Sequence, residues 1–221
     1  MVRIYLVRHA EAMGNVQEFF QGRTDTQISE KGSRQLECLA ERFRTIPIEA
    51  VYSSPLKRTL DTAAAVNMHH GLPIIRNSEI IEINGGKWEG VKWSELPALF
   101  PQEYRLWNEA INYFYAPEGE STEQVYDRMR AAMDKIAADN QGKTIAVVSH
   151  GMAIKAYLNY ADGRCWKNYS DPGWSDNTAV SLIEYDDEMK PHIVYKNDCS
   201  HLSEELSTLS FSKWCNMDKD K

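Results

Sequence analysis

Val2-Arg3-Ile4-Tyr5-Leu6-Val7-Arg8-His9-Ala10 is the stretch that decides the fold. Residues 2–8 alternate little and are rich in β-forming side chains, as in a strand buried on both faces. The run ends on an arginine and a histidine side by side, where strand gives way to loop. That is a place to hold an anion and attack it. An Arg-His pair occurs by chance often enough to be weak alone; its weight comes from other segments that fit the same chemistry.

Outward from that strand, helices and strands alternate. Ser29-Glu30-Lys31-Gly32 opens a helix expected to run to about Thr45, with Leu36, Leu39, Ala40 and Phe43 as its apolar stripe. Ala50-Val51-Tyr52-Ser53 is a second short strand. Ser54-Pro55 reads as an N-cap and a first-turn proline, with Leu56, Leu60, Ala63, Ala64 and Met68 continuing that helix on one face. Ser121 and Gln124 form a capping box ahead of a helix carrying Val125, Met129, Ala132, Met133 and Ile136. Thr144–Ser149 is a further buried strand, followed by a helix over about 152–160. Ala179–Tyr185 and His192–Tyr195 read as a late hairpin. The pattern predicts a three-layer α/β/α fold with a mostly parallel central sheet, residues 1–221 forming one domain. Residues 76–120 differ: short turns, two short helices (about 94–99 and 101–114) and eight aromatics (Trp88, Trp93, Phe100, Tyr104, Trp107, Tyr113, Phe114, Tyr115) predict a helical cap insertion at about 84–120. The last stretch, 199–221, with Leu202, Leu206, Leu209, Phe211 and Trp214, is expected to pack on the body.

Composition narrows the function. The 221 residues are 43% hydrophobic and 26% charged, an ordinary globular mixture, and the net charge is −7. So acidic a chain is not built to bind nucleic acid through its general field. No apolar run approaches the ~18 residues that span a membrane, and Arg3 and Arg8 interrupt any leader, so a cytoplasmic location is expected. Cys38, Cys165, Cys199 and Cys215 form no CxxC pair and no metal-ligand spacing, so no metal and no cofactor is expected.

In open α/β sheets ligands bind beyond the carboxyl ends of the strands. Three strands end in chemically loaded residues: the first at Arg8-His9, the second just before Arg58, another at His150. Two histidines and two arginines converging on one spot suit a phosphoryl group, whose oxygens need several fixed positive donors. Neutral histidine is a competent nucleophile toward phosphorus. A phosphohistidine intermediate removes the need for a metal-activated water. It then needs a carboxyl with a raised pKa to protonate the leaving alcohol and later deprotonate water. Glu82 is the candidate; Glu11 and Glu89 are its rivals. Trp88-Glu89-Gly90 reads as architectural, and His69, His70, His192 and His201 as structural.

Seven segments in order carry a resemblance: Leu6-Val7-Arg8-His9-Ala10-Glu11 with Asn15; Gln21-Gly22-Arg23-Thr24-Asp25 leading to Ser29-Glu30-Lys31-Gly32; Ser53 to Thr59; Glu82 with Gly86-Lys87-Trp88-Glu89-Gly90; Gly119-Glu120-Ser121; Ser149-His150-Gly151; and Asn197 to Leu202. The chain resembles the histidine phosphatase superfamily, on its phosphoglycerate-mutase-like branch. The resemblance implies that His9 is the phosphorylated nucleophile, that Arg8, Arg58 and His150 bind the phosphate, and that Glu82 carries protons. It also implies that Asn15 and the Gln21-Gly22 backbone line the pocket. The first motif reads RHA where RHG is commoner, which adds one methyl near the phosphate.

The same site can hydrolyse a monoester or move phosphate between hydroxyls. Residues 84–120 hold three basic residues (Lys87, Lys92, Arg105) against six acidic ones (Glu89, Glu95, Glu103, Glu109, Glu118, Glu120), which disfavours a polyanionic substrate. The expected activity is a metal-independent phosphomonoesterase on a small phosphorylated metabolite, one with an apolar or ring-shaped leaving group. Phosphorylated sugars and nucleoside-like compounds such as α-ribazole phosphate fit equally. A phosphoglycerate-mutase-type transfer and a non-catalytic phosphate-binding module are the alternatives. The aromatics of the insertion also offer a face for a homodimer.

Overall fold

In the computed structural model, which describes residues 1–168 and 173–209, the chain runs β1 (Val2–Arg8), α1 (Met13–Val16), α2 (Glu30–Phe43), β2 (Ala50–Ser53), α3 (Lys57–Val66) and β3 (Ile74–Arg76). It continues through α4 (Leu96–Leu99), α5 (Pro101–Glu109), α6 (Thr122–Asp139), β4 (Thr144–Ser149), α7 (Gly151–Ala161), β5 (Val180–Tyr185) and β6 (Pro191–Asp198). Six strands form one sheet in the order β3-β2-β4-β1-β5-β6. The first four are mutually parallel, and β5 runs antiparallel to both of its neighbours. The expected mostly parallel sheet and late hairpin are both present.

Period-two alternation within the central strands sends side chains to two covered faces. Ile4, Leu6, Ile145 and Val147 pack under α6 and α7, against Met129, Met133, Ile154 and Leu158. Val7, Ala146 and Val148 pack under α2 and α3, against Leu39, Phe43, Ala63 and Val66. Helices therefore cover both faces, and β1 and β4 are apolar almost throughout because neither face meets water. The Ser29 hydroxyl caps α2 by accepting from Gly32 N, and Ser121 and Gln124 make their reciprocal capping box at α6.

Several expectations change. α3 begins at Lys57, with Leu56 as an uncapped N-cap position; Ser54 stands two residues before it and bonds elsewhere. Its buried face is Arg58, Thr59, Thr62, Ala63, Ala65 and Val66, while Met68 is exposed. A stripe of apolar residues misreads this helix because its inner face is partly polar and serves the site. β3 and α1, both short, carry too few residues for a periodic signal. The helix expected over 101–114 stops at Glu109 and gives way to a 3-10 turn at Ile111–Tyr113. Of the terminal stretch, Leu206 is buried and Phe211, Trp214 and Cys215 lie outside the described residues. No helix among the described residues is long and apolar enough to cross a membrane.

The aromatics between β3 and α6 take three kinds of position. Trp88 and Phe114 are fully buried, their ring centroids 4.9 Å apart, and form the interior of that segment together with Phe20. Tyr113 and Tyr115 are exposed. Trp93 and Trp107 face a cavity.

Candidate active site

Strand register builds the site. β1 and β4 are paired with Arg8 opposite Ser149, so the next residues, His9 and His150, leave the sheet together. Their ring centroids are 5.3 Å apart. β2 places Ser53 opposite Val148, which brings Ser54 alongside; its hydroxyl lies 2.7 Å from His150 Nε2. Residues separated by about 140 positions in sequence thus meet at the carboxyl ends of three parallel strands.

His9 is buried. Its Nδ1 donates to the Ala10 carbonyl at 2.8 Å, which fixes the neutral tautomer whose lone pair is on Nε2. Burial, with Arg58 and Arg8 close by, holds the imidazole well below its usual pKa. The ring is therefore uncharged at neutral pH, with a lone pair available on Nε2. The His9 carbonyl accepts from Asn177 Nδ2 at 2.9 Å and from Thr178 N at 3.3 Å. Burial likewise pushes His150 well down, with Arg58 and His9 adding to it, and its Nδ1 has no hydrogen-bond partner among the described residues.

Arg58 is fully buried, and the polar start of α3 delivers it. Its Nη1 donates to Thr24 O at 2.8 Å and its Nη2 to Gly22 O at 2.6 Å, while Nε is without a partner among the described residues. Burial lowers its pKa to about 10, resisted by Glu82, Asp25 and Glu89, so the guanidinium stays charged at neutral pH. Arg8 Nη1 donates to the Ser175 carbonyl.

Glu82 sits at the N-terminus of α7. Its Oε2 accepts from Met152 N at 3.1 Å, and its Oε1 from Ala153 N at 3.0 Å and Ile83 N at 2.9 Å. Met152 N and Ala153 N are orphaned amides of the first turn of α7, and together with Ile83 N they favour the ionised carboxylate. Burial outweighs them and raises its pKa above the usual carboxylate value. Arg128 brackets the same segment, donating to the carbonyls of Glu79 and Ile81 and pairing through two nitrogens with Glu120. Glu120 in turn accepts from Asn84 N at 2.8 Å.

The two rival carboxylates are otherwise engaged. Glu89 accepts from the backbone amides of Arg23, Thr24 and Gly85 and from the Thr24 hydroxyl, and so ties the 21–25 loop to the 85–89 turn. Glu11 accepts from the Ser29 hydroxyl at 2.6 Å, at the start of α2. Neither lines the cavity.

That cavity holds about 60 Å³ and is lined by Arg8, His9, Asn15, Gln21 and Glu82 at its polar end. Phe19, Phe20, Ile83, Trp93, Trp107, Met152 and Trp174 make its apolar wall. Asn15 Oδ1 accepts from Ala12 N and Gln21 Oε1 from the Thr26 hydroxyl, leaving the donor ends of both amides for a ligand. Arg58 and His150 lie behind this surface with no exposure. Gly22 lies off the cavity: a Cβ there would meet Ile83 O at 2.4 Å and Glu89 Oε1 at 2.3 Å, so the position needs glycine for close packing, and its carbonyl holds Arg58.

A sequence profile of the histidine phosphatase superfamily (branch 1) matches residues 4–198. The chain belongs to the histidine phosphatase superfamily. This histidine phosphatase is similar to phosphoserine phosphatase 1 of Hydrogenobacter thermophilus, 32% identical across 92% of this chain and 96% of that protein. It is also similar to phosphoglycerate mutase-like protein 4 of Arabidopsis thaliana, 30% identical across 91% and 87% of the two chains. Among solved structures it is similar to YhfR of Bacillus stearothermophilus, with a TM-score of 0.87 and 28% identity over 92% of this chain and all of the other. Family and relatives support the phosphatase read from the motifs.

Sequence reasoning missed Ser54 as a partner of His150, Arg128 behind Glu82, and Trp174 in the cavity wall. Ser54 carried a competing signal as a helix cap. Trp174 lies in a loop with no periodic pattern, where only a three-dimensional neighbour gives a tryptophan meaning.

Proposed function

We propose that the chain is a metal-independent phosphomonoesterase working through a phosphohistidine on His9. The observation that carries this reading is the His9 ring: buried, kept neutral by burial and two arginines, and tethered through Nδ1 so that Nε2 holds the lone pair. In the first step Nε2 attacks phosphorus, the P–O bond to the leaving group breaks, and the departing oxygen takes the Glu82 proton. In the second step Glu82, now a carboxylate, takes a proton from water as it attacks the phosphohistidine. The N–P bond then breaks, releasing phosphate and restoring neutral His9. Arg8 meets the phosphoryl oxygens at the cavity surface, and Arg58 and His150, directly behind it with Nε and Nδ1 unpartnered among the described residues, supply further contacts once the phosphoryl group is seated; such fixed donors match the charge that builds in the transition state. The donor ends of Asn15 and Gln21 complete the anion site.

The substrate is a small metabolite with a single phosphoryl group. Arg8 is the one cationic side chain among the described residues lining the cavity, which leaves little to bind a second phosphate and argues against a mutase working on bisphosphorylated acids. Rings on the far wall favour an apolar or ring-shaped leaving group, and residues 84–120 act as a cap that supplies two of them, Trp93 and Trp107. The Hydrogenobacter relative is named for phosphoserine, itself a small metabolite with a single phosphoryl group.

Hydrolysis of p-nitrophenyl phosphate with EDTA present, by wild type and His9→Ala side by side, tests the reading. Activity that withstands EDTA and vanishes in the variant is expected. Equal activity in both proteins would end the His9 mechanism, and loss in EDTA would end the metal-free one.

A further inference from the structure

Behind Arg8 and His9 lies a second polar layer that the chemistry above does not use. Asp176 is buried, and its carboxylate is ringed by donors. Oδ1 accepts from Asn177 N at 2.7 Å, Thr208 N at 3.0 Å, Leu209 N at 3.3 Å and the Thr208 hydroxyl; Oδ2 accepts from Ser207 Oγ at 2.6 Å. The Thr208 hydroxyl also lies 2.8 Å from Asn177 Oδ1. Through these contacts the segment 207–209, far along the chain, is strapped to the loop over 174–178.

That loop touches the site at three points. The residue before Asp176 offers its carbonyl to Arg8 Nη1. The two residues after it, Asn177 and Thr178, donate to the His9 carbonyl. Trp174 lines the cavity and stacks on Trp107, ring centroids 5.6 Å apart. A carboxylate buried among neutral groups is costly to desolvate, which only a full set of donors offsets. Those bonds make the loop stiff where the phosphoryl group must be met with sub-ångström accuracy.

We propose that Asp176 is a positioning residue for phosphoryl transfer, using Ser207 and Thr208 to lock the loop that aims Arg8 and fixes the His9 backbone. This rests on the reading in which His9 and Arg8 handle the phosphoryl group. Asp176→Asn keeps the shape but turns an N–H₂ toward donors, so it unlocks the loop with little change in volume. Thr208→Val removes one hydroxyl at the rim of the same network, and Thr208→Ser restores it.

The test measures kcat, KM, vanadate inhibition and Tm for these three variants, with wild type and His9→Ala as references. Asp176→Asn is expected to lower kcat/KM by about ten- to a hundredfold well below its Tm, the scale on which a misplacement of about 1 Å acts. Vanadate inhibition should weaken in step; Thr208→Val should move the same way, and Thr208→Ser should stay close to wild type. Lower Tm values with unchanged kcat/KM and vanadate inhibition in Asp176→Asn and Thr208→Val would overturn the proposal and make the network a structural staple. If Asp176→Asn does not fold, the Thr208 pair decides alone. Full activity in His9→Ala would instead remove the mechanism beneath the proposal, which separates the two failures.

Discussion

Arg58 has no exposure, and its charge is sustained by two backbone carbonyls and the field of three carboxylates. Removing it should leave those carbonyls and the phosphoryl oxygens without their donor. Arg58→Ala is expected to lose about 2–4 kcal/mol of transition-state stabilisation, the scale for deleting one such donor, read as a fall in kcat/KM; a loss within a factor of two would place the guanidinium outside the reaction. In the proposed mechanism Glu82 is protonated for the first step, and burial raises its pKa. Activity should therefore fall as pH rises through that raised value, and the fall should disappear in Glu82→Gln at a much lower rate. An unchanged profile in the variant would return the proton to another group. Arg8, His9, Arg58, His150 and Glu82 were legible in the sequence because each stands at the end of a strand or at the edge of an apolar run. Ser54 and Asp176 were not, since a short polar side chain in a loop reads as a turn or cap until its partner is known.

At the scale of elements, α3 shows most clearly what pattern reading misses. Its inner face carries Arg58, Thr59 and Thr62, and Thr62 Oγ1 accepts from Ala10 N at 3.0 Å. Polar residues facing inward break the expected stripe because this helix packs against the loop after β1 as well as against the apolar sheet. The β2–α3 junction spends Ser54 on His150 rather than on capping. Ser54→Ala should thus cost little stability but release the His150 ring, lowering kcat/KM while circular dichroism stays unchanged; unaltered kinetics would make that contact incidental. On the other side, α6 supports Glu82 through Arg128, whose guanidinium spans two carbonyls and the Glu120 carboxylate. Arg128→Met should lower kcat and shift the alkaline limb of the pH profile, because the segment holding Glu82 loses its brace. A fall in Tm with that limb unmoved would limit Arg128 to packing.

Across the whole molecule, the parallel order β2-β4-β1 turns three distant sequence motifs into one site. That convergence was legible from strand ends alone, whereas the aromatic wall was not: the same rings read first as the interior of the insertion, and Trp88 and Phe114 do form one. Function also marks stability. His9 and His150 sit well below their usual pKa, and His201 is lowered to about 4 by burial and Arg42. Below the unfolded value of about 6.5 the unfolded chain binds protons that the folded chain refuses, so stability falls as pH drops toward 4, by at most about 1.4 kcal/mol per pH unit for each histidine. Glu82 acts with the opposite sign, since its raised pKa favours the folded state as pH falls, whereas the lowered carboxylates of Glu120, Asp186 and Asp198 act with the histidines. Urea midpoints measured between pH 7.5 and 4.5 should decline steadily; a flat or rising series would contradict the buried neutral histidines.

In the proposed reaction, phosphate passes through His9. Rapid mixing with substrate, an alkaline quench and mass spectrometry of the peptide containing His9 tests it directly. An acid-labile phosphoryl group should form on His9 within one turnover and be absent from His9→Ala. Steady turnover with no label on that peptide, or with the label on another residue, would contradict it.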